Sequence, residues 1–199
     1  EDNLDGFFRQ DYPAAVQIVF GVQSPNDTAI GIVDRLRAKY PGADIALALS
    51  AREAGVNPKI SNLTGMLPLA RHDVLLLSDS DIGVSAEYLR KVVTALEAPG
   101  VGAVTCYYTG RAAGNVWSKL SAMDIDYRFL PNAVFAVAMR LASPCFGSTI
   151  ALHGTVLREI GGFEAFRKFI ADDYEIGRAV QRLGRRLAYA PVMLTHNCS

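Results

Sequence analysis

Residues 74–81 read Val-Leu-Leu-Leu-Ser-Asp-Ser-Asp, and this stretch decides the fold class. Residues 74–77 are wholly apolar, the pattern of a strand covered on both faces. The strand then presents two carboxylates, Asp79 and Asp81, one residue apart. In open α/β sheets, ligands bind beyond the carboxyl ends of strands. Two hard oxygen donors in that place suit Mg2+ or Mn2+ held jointly with substrate phosphates. Asp is also common in turns, so capping of the next turn is the competing explanation. The strand context tips the reading towards a site.

Outward from this stretch, strand-like and helix-like segments alternate. Residues 16–22 and 44–49 read as strands, and residues 28–39 as a helix with Ile30, Val33 and Leu36 at helical spacing. Residues 58–70 read as a helix that opens on Pro58, with Gly65 and Pro68 weakening its second half. A further helix runs to Leu96, with Ser85 as its cap and Glu87 in its first turn. Residues 101–107 form another strand. This alternation predicts a layered α/β sheet, mostly parallel. Beyond it, residues 115–141 read as a long helix broken near Pro131, and 148–152 as a strand. Residues 155–160 form a short helix ended by Gly161-Gly162, 171–183 another helix, and 186–194 a strand interrupted at Pro191. A single domain over 1–199 is expected, with a nucleotide-binding half (1–107) joined near residues 108–114 to an acceptor half (115–199).

The 199 residues carry 20 Lys+Arg against 20 Asp+Glu, and half are hydrophobic. Disorder is excluded by the apolar fraction, and a neutral balance argues against a nucleic-acid partner. Cys106, Cys145 and Cys198 are odd in number and far apart, which fits neither a disulfide framework nor metal spacing and suggests a reducing compartment. The most apolar stretch, 133–142, is about half the roughly 20 residues that a membrane span needs and contains Arg140. The chain starts at Glu1 without Met and stops at Ser199 just after a strand-like run, so a piece of a longer protein, truncated at both ends, is expected.

Other candidates stand beside the Asp79/Asp81 pair. Asp172, Asp173 and Glu175 open a helix, where carboxylates favour the dipole; one of them could equally serve as a general base. Asp27 follows a strand and either caps the next helix or touches a nucleotide. Lys59 sits in a first helical turn, where a cation opposes the dipole, so either a phosphate or simple solvation explains it. His196 ends a strand-like run and could approach a metal, whereas His72 and His153 read as structural. Residues 129–146 read as core, although part could meet a membrane. Trp117, Tyr127 and Phe135 share no single helical face, so no membrane-surface helix is read from them.

Five stretches in this order carry a resemblance: residues 7–13 (FFRQDYP), 22–27 (VQSPND), 55–63 (GVNPKISNL), 79–81 (DSD) and 170–174 (IADDY). Together they resemble the ceramide glucosyltransferase family, especially its bacterial relatives, including the glycosyltransferases of hopanoid lipid synthesis. The resemblance implies an α/β GT-A fold, a Rossmann-like three-layer sheet. It implies inverting transfer of a hexose, glucose or GlcNAc, from a UDP-sugar to a lipid alcohol such as ceramide or a hopanoid. In that reading Asp27 contacts the uracil and Lys59 lies near the nucleotide. Asp79 and Asp81 form the DxD motif, with Asp81 the chief ligand of Mg2+ or Mn2+. Asp173 is the general base, with Asp172 and Tyr174 on the acceptor side. A membrane-associated, cytoplasmic-facing enzyme, as at a bacterial inner membrane, is implied, anchored by segments absent from this chain. The family's earlier strand, with a Leu-Lys-Pro-Leu-Lys-Gly-like sequence, is also absent. Its loss predicts unpaired sheet edges that could pair with another copy. A processive polysaccharide synthase and a non-catalytic nucleotide-sugar-binding module are the alternatives.

Overall fold

A computed structural model describes residues 2–50 and 57–198. Gly55 and Val56 of the 55–63 motif lie outside the described residues. The elements run α1 (Asp2–Phe8), β1 (Gln17–Val22), α2 (Ala29–Lys39), β2 (Asp44–Leu49) and α3 (Pro58–Met66), the last followed by a 3-10 turn at Leu67–Leu69. Then come β3 (Val74–Ser78), β4 (Ile82–Gly83), α4 (Tyr88–Leu96) and β5 (Val101–Ala112). The second half continues with α5 (Val116–Asp124), a π turn (Ile125–Phe129), α6 (Leu130–Ala138), β6 (Thr149–His153) and α7 (Gly154–Glu159). A 3-10 turn (Phe163–Phe166), α8 (Asp172–Arg182) and β7 (Arg186–Cys198) complete it.

The larger sheet has the order β3-β6-β5-β7-β4. Only β5 and β7 run parallel; the other three pairs are antiparallel. The expected mostly parallel sheet is therefore corrected to a mixed one. An apolar run marks burial on both faces but carries no strand direction. Strand parity divides the core. Leu77, Ile150, Leu152, Ala103 and Leu187 point to one face, beneath α3, α7 and α8. Val104, Cys106, Ala151, Ala190 and Leu194 point to the other, beneath α4. Tyr88, Val92 and Leu96 form the buried stripe of α4 at four-residue spacing. Strands from both halves of the chain thus interleave in one sheet with helices on both sides.

β1 and β2 form a separate parallel pair. Among the described residues, β1 pairs only with β2 and β3 only with β6. An apolar cleft lies between these two edges, lined by Val19, Leu76, Leu63 and Phe163. At one end the Gln17 side chain spans it, donating to the Leu69 carbonyl at 3.0 Å and accepting the Arg71 N–H at 3.0 Å. α1 braces the two sheets. Asp5 takes Lys39 at 2.6 Å and the Tyr40 hydroxyl at 3.1 Å, and Phe8 stacks on Tyr40. Phe7 meanwhile packs edge-on against Tyr88.

Several local expectations are corrected. Ser85 does not cap α4, which begins at Tyr88. Its terminal Leu89 N–H is taken by the Gln10 side chain at 2.8 Å, and Gln10 donates to the Ser85 carbonyl. A cap supplied from 79 residues away leaves no local signature. Residues 108–112 are not a joint; β5 continues through them because β7 pairs with it as far as Ala112 and Cys198. β7 is interrupted around Pro191, as expected, but continues beyond it to Cys198. The register slips there, with Thr105 opposite Tyr189 but Tyr107 opposite Met193, so a bulge absorbs the missing N–H.

The long helix is interrupted near Pro131, as expected, though by a change of helix type rather than a break in the chain's winding. A π turn just before Pro131 absorbs one extra residue, and a proline without N–H tolerates that slack. Residues 129–146 are not uniformly core. Ala133, Cys145 and Phe146 are buried, whereas Val134, Phe135, Met139 and Leu141 are exposed. The unit of α5, π turn and α6 is seated on β5 through Gly110. A Cβ at Gly110 would lie 2.5 Å from Ala122 Cα and 2.8 Å from its carbonyl oxygen. The collision is with backbone, which cannot rotate away. Gly110→Ala is expected to destabilise the fold by about 1–3 kcal/mol, read as a lower urea midpoint.

Candidate active site

Antiparallel pairing of β3 with β6 sets the site. Ser78 lies opposite Thr149, which brings Gly147-Ser148 beside the acids that follow β3. The Ser78 hydroxyl donates to the Ser148 carbonyl at 3.2 Å. Lys59, in the first turn of α3, reaches across to Asp79 Oδ1 at 2.7 Å and to the Gly147 carbonyl at 3.0 Å. These partners explain a cation at a helix start. On the other side, the Gly147 N–H donates to Asp173 Oδ2 at 2.9 Å. A Cβ on Gly147 would lie 3.1 Å from that oxygen and 3.2 Å from Lys59 Nζ. One peptide thus links Lys59, and through it Asp79, to Asp173.

Asp172 and Asp173 open α8 but occupy different environments. Asp172 is 8% exposed and accepts the Asn57 amide at 3.0 Å through Oδ1, while its Oδ2 is buried without a partner. Burial pushes its pKa up, against the pull of Lys59 and Asn57. Asn57 also caps α3, accepting the Lys59 and Ile60 N–H groups, and donates to the Phe169 carbonyl. It therefore ties the N-terminal ends of α3 and α8 together, and both dipoles favour negative charge there. Asp173 accepts the Tyr174 N–H through its other oxygen. Tyr174 is half exposed, with the Arg178 guanidinium over its ring.

Asp81 arrives from the opposite direction, positioned by the pairing of β4 with β7. Its carbonyl accepts both the backbone N–H and the side-chain amide of Asn197 at 2.9 Å. Its carboxylate Oδ2 lies 3.3 Å from His196 Nε2, and its Oδ1 is shielded with no hydrogen-bond partner. Tyr108 packs near His196, with ring centres 5.8 Å apart. Burial first, then the charges of Asp173, Asp79 and Asp81, push the Tyr108 hydroxyl above its ordinary value.

Asp27 stands apart from these contacts. Its carboxylate accepts the Ala29 N–H at 2.9 Å, so it caps the start of α2. Its loop still borders the site, because Gln23 donates to the Pro58 carbonyl at 2.7 Å, next to Lys59. Tyr108, Gly147, Asn57 and Asn197 were not singled out by the sequence as site residues. Asn57 stood in plain view beside Pro58-Lys59 as a helix-capping type, whereas the other three gave no local signal.

The donor set fits a divalent cation. Lys59 pairs with Asp79, the Gly147 peptide links that pair to Asp173, and the orphaned Asp81 Oδ1 is a ready oxygen donor. Among the described residues, no three His, Cys, Asp or Glu groups lie close enough to hold a metal by themselves. A cation here would draw its remaining ligands from phosphate oxygens and water, as Mg2+ commonly does.

Comparison with known proteins agrees with this architecture. The mannosyltransferase PcManGT from Pyrobaculum calidifontis, solved with GDP-Man and Mn2+, superposes with a TM-score of 0.70 at 23% identity, over 97% of this chain and 51% of that one. S. aureus TarS 1-349, solved with UDP-GlcNAc, gives a TM-score of 0.65 at 16% identity, over 96% of this chain and 53% of that one. Both are GT-A glycosyltransferases, so the expected fold holds. Among curated proteins, ceramide glucosyltransferase 3 of Caenorhabditis elegans is 25% identical over all of this chain and 43% of its own length. The Candida albicans ceramide glucosyltransferase is 35% identical over 47% of this chain and 19% of its own length. The chain therefore spans less than half of the curated relatives it matches. The family model of glycosyl transferase family 21 matches residues 1–199, and the chain belongs to that family.

Proposed function

We propose that this cluster transfers a hexose, glucose or GlcNAc, from a UDP-sugar to the hydroxyl of a membrane lipid such as ceramide or a hopanoid, with inversion. The observation that carries the reading is the Lys59–Gly147–Asp173 connection. It puts Asp79, held by Lys59, and Asp173, held by backbone N–H groups, at the two ends of one peptide. The names of the curated relatives support the lipid acceptor. Asp27 and the loop beside it are assigned to the uracil, and Lys59 to the nucleotide side.

Asp173 takes the proton from the acceptor hydroxyl as that oxygen bonds to the anomeric carbon. The bond from that carbon to the diphosphate oxygen breaks on the far side, and its electron pair leaves with UDP. A divalent cation held by Asp81 and Asp79 would offset the charge gathering on the leaving diphosphate. Asp172 is a poor second base, since it is buried and engaged by Asn57; it orients the start of α8 instead.

Asp173→Asn is expected to lower transfer by about 10²–10⁴-fold, roughly 3–5 kcal/mol of barrier, with UDP-sugar affinity kept. Product analysis with UDP-sugars and a lipid extract, paired with calorimetric binding, checks this. Wild-type turnover would remove Asp173 from the role, and polymer in place of glycolipid would assign the site to a processive synthase. Asp81→Asn is expected to weaken Mn2+-supported UDP binding by about tenfold or more, while metal-free binding stays as it was.

Asp172 adds a pH effect with a definite sign. Its pKa lies above the ordinary 3.8, so the native state keeps this proton to higher pH than the unfolded chain does. Stability is lost as pH rises through that window. Asp172→Asn removes the titration and still accepts the Asn57 amide. Its melting temperature relative to the parent should therefore rise with pH from about 4 and level off once Asp172 is ionised.

A further inference from the structure

The acid cluster leaves the outer side of the α5–α6 unit unexplained. Val116, Leu120 and Met123 recur every three or four residues, and all are exposed. A regular helix would carry Phe135 and Met139 away from that line. The π turn takes up one extra residue and returns both of them to the side on which Tyr127 already lies. Trp117, 76% exposed, borders the stripe, and Tyr127 is 79% exposed. The sequence alone put Trp117, Tyr127 and Phe135 on no common face, and so gave no sign of this stripe. Single exposed apolar residues are ordinary, but a stripe along a whole helical unit is not.

The opposite side of this unit is firmly seated. Asn115 caps α5, and Asp126 accepts the Gly110 N–H at 2.8 Å. Phe129 stacks on Tyr108 at 4.8 Å and meets Phe146 at 5.3 Å. The stripe therefore cannot turn inward without losing these contacts. It also adjoins the site: Phe146 precedes Gly147, whose N–H holds Asp173. Phe169 and Ile170, exposed apolar residues, lie just before the same acid. Lys119 and Arg140 are exposed on the unit, the charge of Asp124 is met by Arg128, and Asp126 turns inward to the Gly110 N–H. The combination is an apolar stripe with aromatic residues and two outward-facing basic ones. Such a face suits the boundary between phospholipid headgroups and acyl chains. No helix among the described residues is long and apolar enough to cross a membrane, so contact would be along the surface.

We propose that the α5–α6 stripe lies on a phospholipid bilayer, so that a lipid alcohol reaches Asp173 from that surface without leaving the membrane. This rests on the lipid-acceptor reading above. Trp117 is the only tryptophan in the chain and reports directly on the contact. Vesicles of phosphatidylcholine with about one fifth phosphatidylglycerol should shift its emission to shorter wavelength, and the protein should float with them. Lipids brominated on the acyl chain should quench it, a measurement that needs no variant. Leu120→Asp combined with Phe135→Asp should weaken vesicle partition by about tenfold or more. Leu183→Asp, at an exposed position after α8, should partition as the parent does. Unchanged emission with no quenching at saturating lipid would overturn the proposal, as would equal flotation of the double variant and Leu183→Asp. A blue shift that needs no vesicles and tracks a doubling of mass would assign the face to a second copy and overturn it too. UDP binding by calorimetry on the same variants separates failure here from failure of the catalytic reading, since the donor side lies away from the stripe.

Discussion

The arrangement depends on one peptide, that of Gly147. It gives its carbonyl to Lys59 and its N–H to Asp173, and it lies so close to both that a Cβ would make each side chain give by a few tenths of an ångström. Lys59 in turn holds Asp79. Like charges at this range would otherwise drive Asp79 and Asp173 apart. The Gly147 peptide lets them share a space by putting an ammonium on one of its ends and presenting its own N–H to the other acid. Pairing of β3 with β6 places that peptide, and Thr105 fixes it from behind by accepting the Phe146 N–H and donating to the Phe146 carbonyl.

Much of the site was legible in the sequence because its acids follow local rules. Asp79 and Asp81 end an apolar run, and Asp172 and Asp173 open a helix, so their positions could be read from neighbours alone. What stayed hidden involves distance or phase. Tyr108 meets the acids only because β5 runs five residues further than its apolar run. Asn197 and His196 reach Asp81 only through the pairing of a two-residue strand with β7. The Gln10 cap on α4 bridges most of a hundred residues. The π turn shifts helical phase without any residue type that announces it. Strand direction was lost for the same reason: in a sheet buried on both faces, no alternation records which neighbour lies beside which.

The divided sheet bears on the donor side. Among the described residues, β1 and β3 each keep one unpaired edge on the cleft between them. The two pieces are nonetheless joined, by α1 at one end, by Gln17 across the cleft and by α3 beneath. α3 packs on both pieces: Gly21 of β1 lies against Met66, and Ile60 and Leu63 sit in the core under β3 and β6. Asp27 belongs to the β1 piece and Asp79 to the other. α3 therefore sets their separation, and Gln23 on Pro58 is the contact that carries the Asp27 loop to the start of α3.

Asp172 and Asp173 show why adjacency in sequence is a weak guide to role. Both sit in the first turn of the same helix and complement the same dipole. One turns inward, where burial favours its neutral form and Asn57 claims an oxygen. The other accepts the Gly147 and Tyr174 N–H groups and stays closer to the solvent. A proton acceptor must be reachable and near the other reacting groups, which is why the proposed role falls to Asp173 rather than to its neighbour. The side it faces is also where polar and apolar surfaces of the molecule meet. Lys59 and the β3 acids lie on one side of Asp173, and Phe146, Phe129 and the α5–α6 unit lie on the other. In the proposed reading a water-soluble diphosphate donor and an apolar alcohol need opposite surroundings, and this boundary is where Asp173 would serve both.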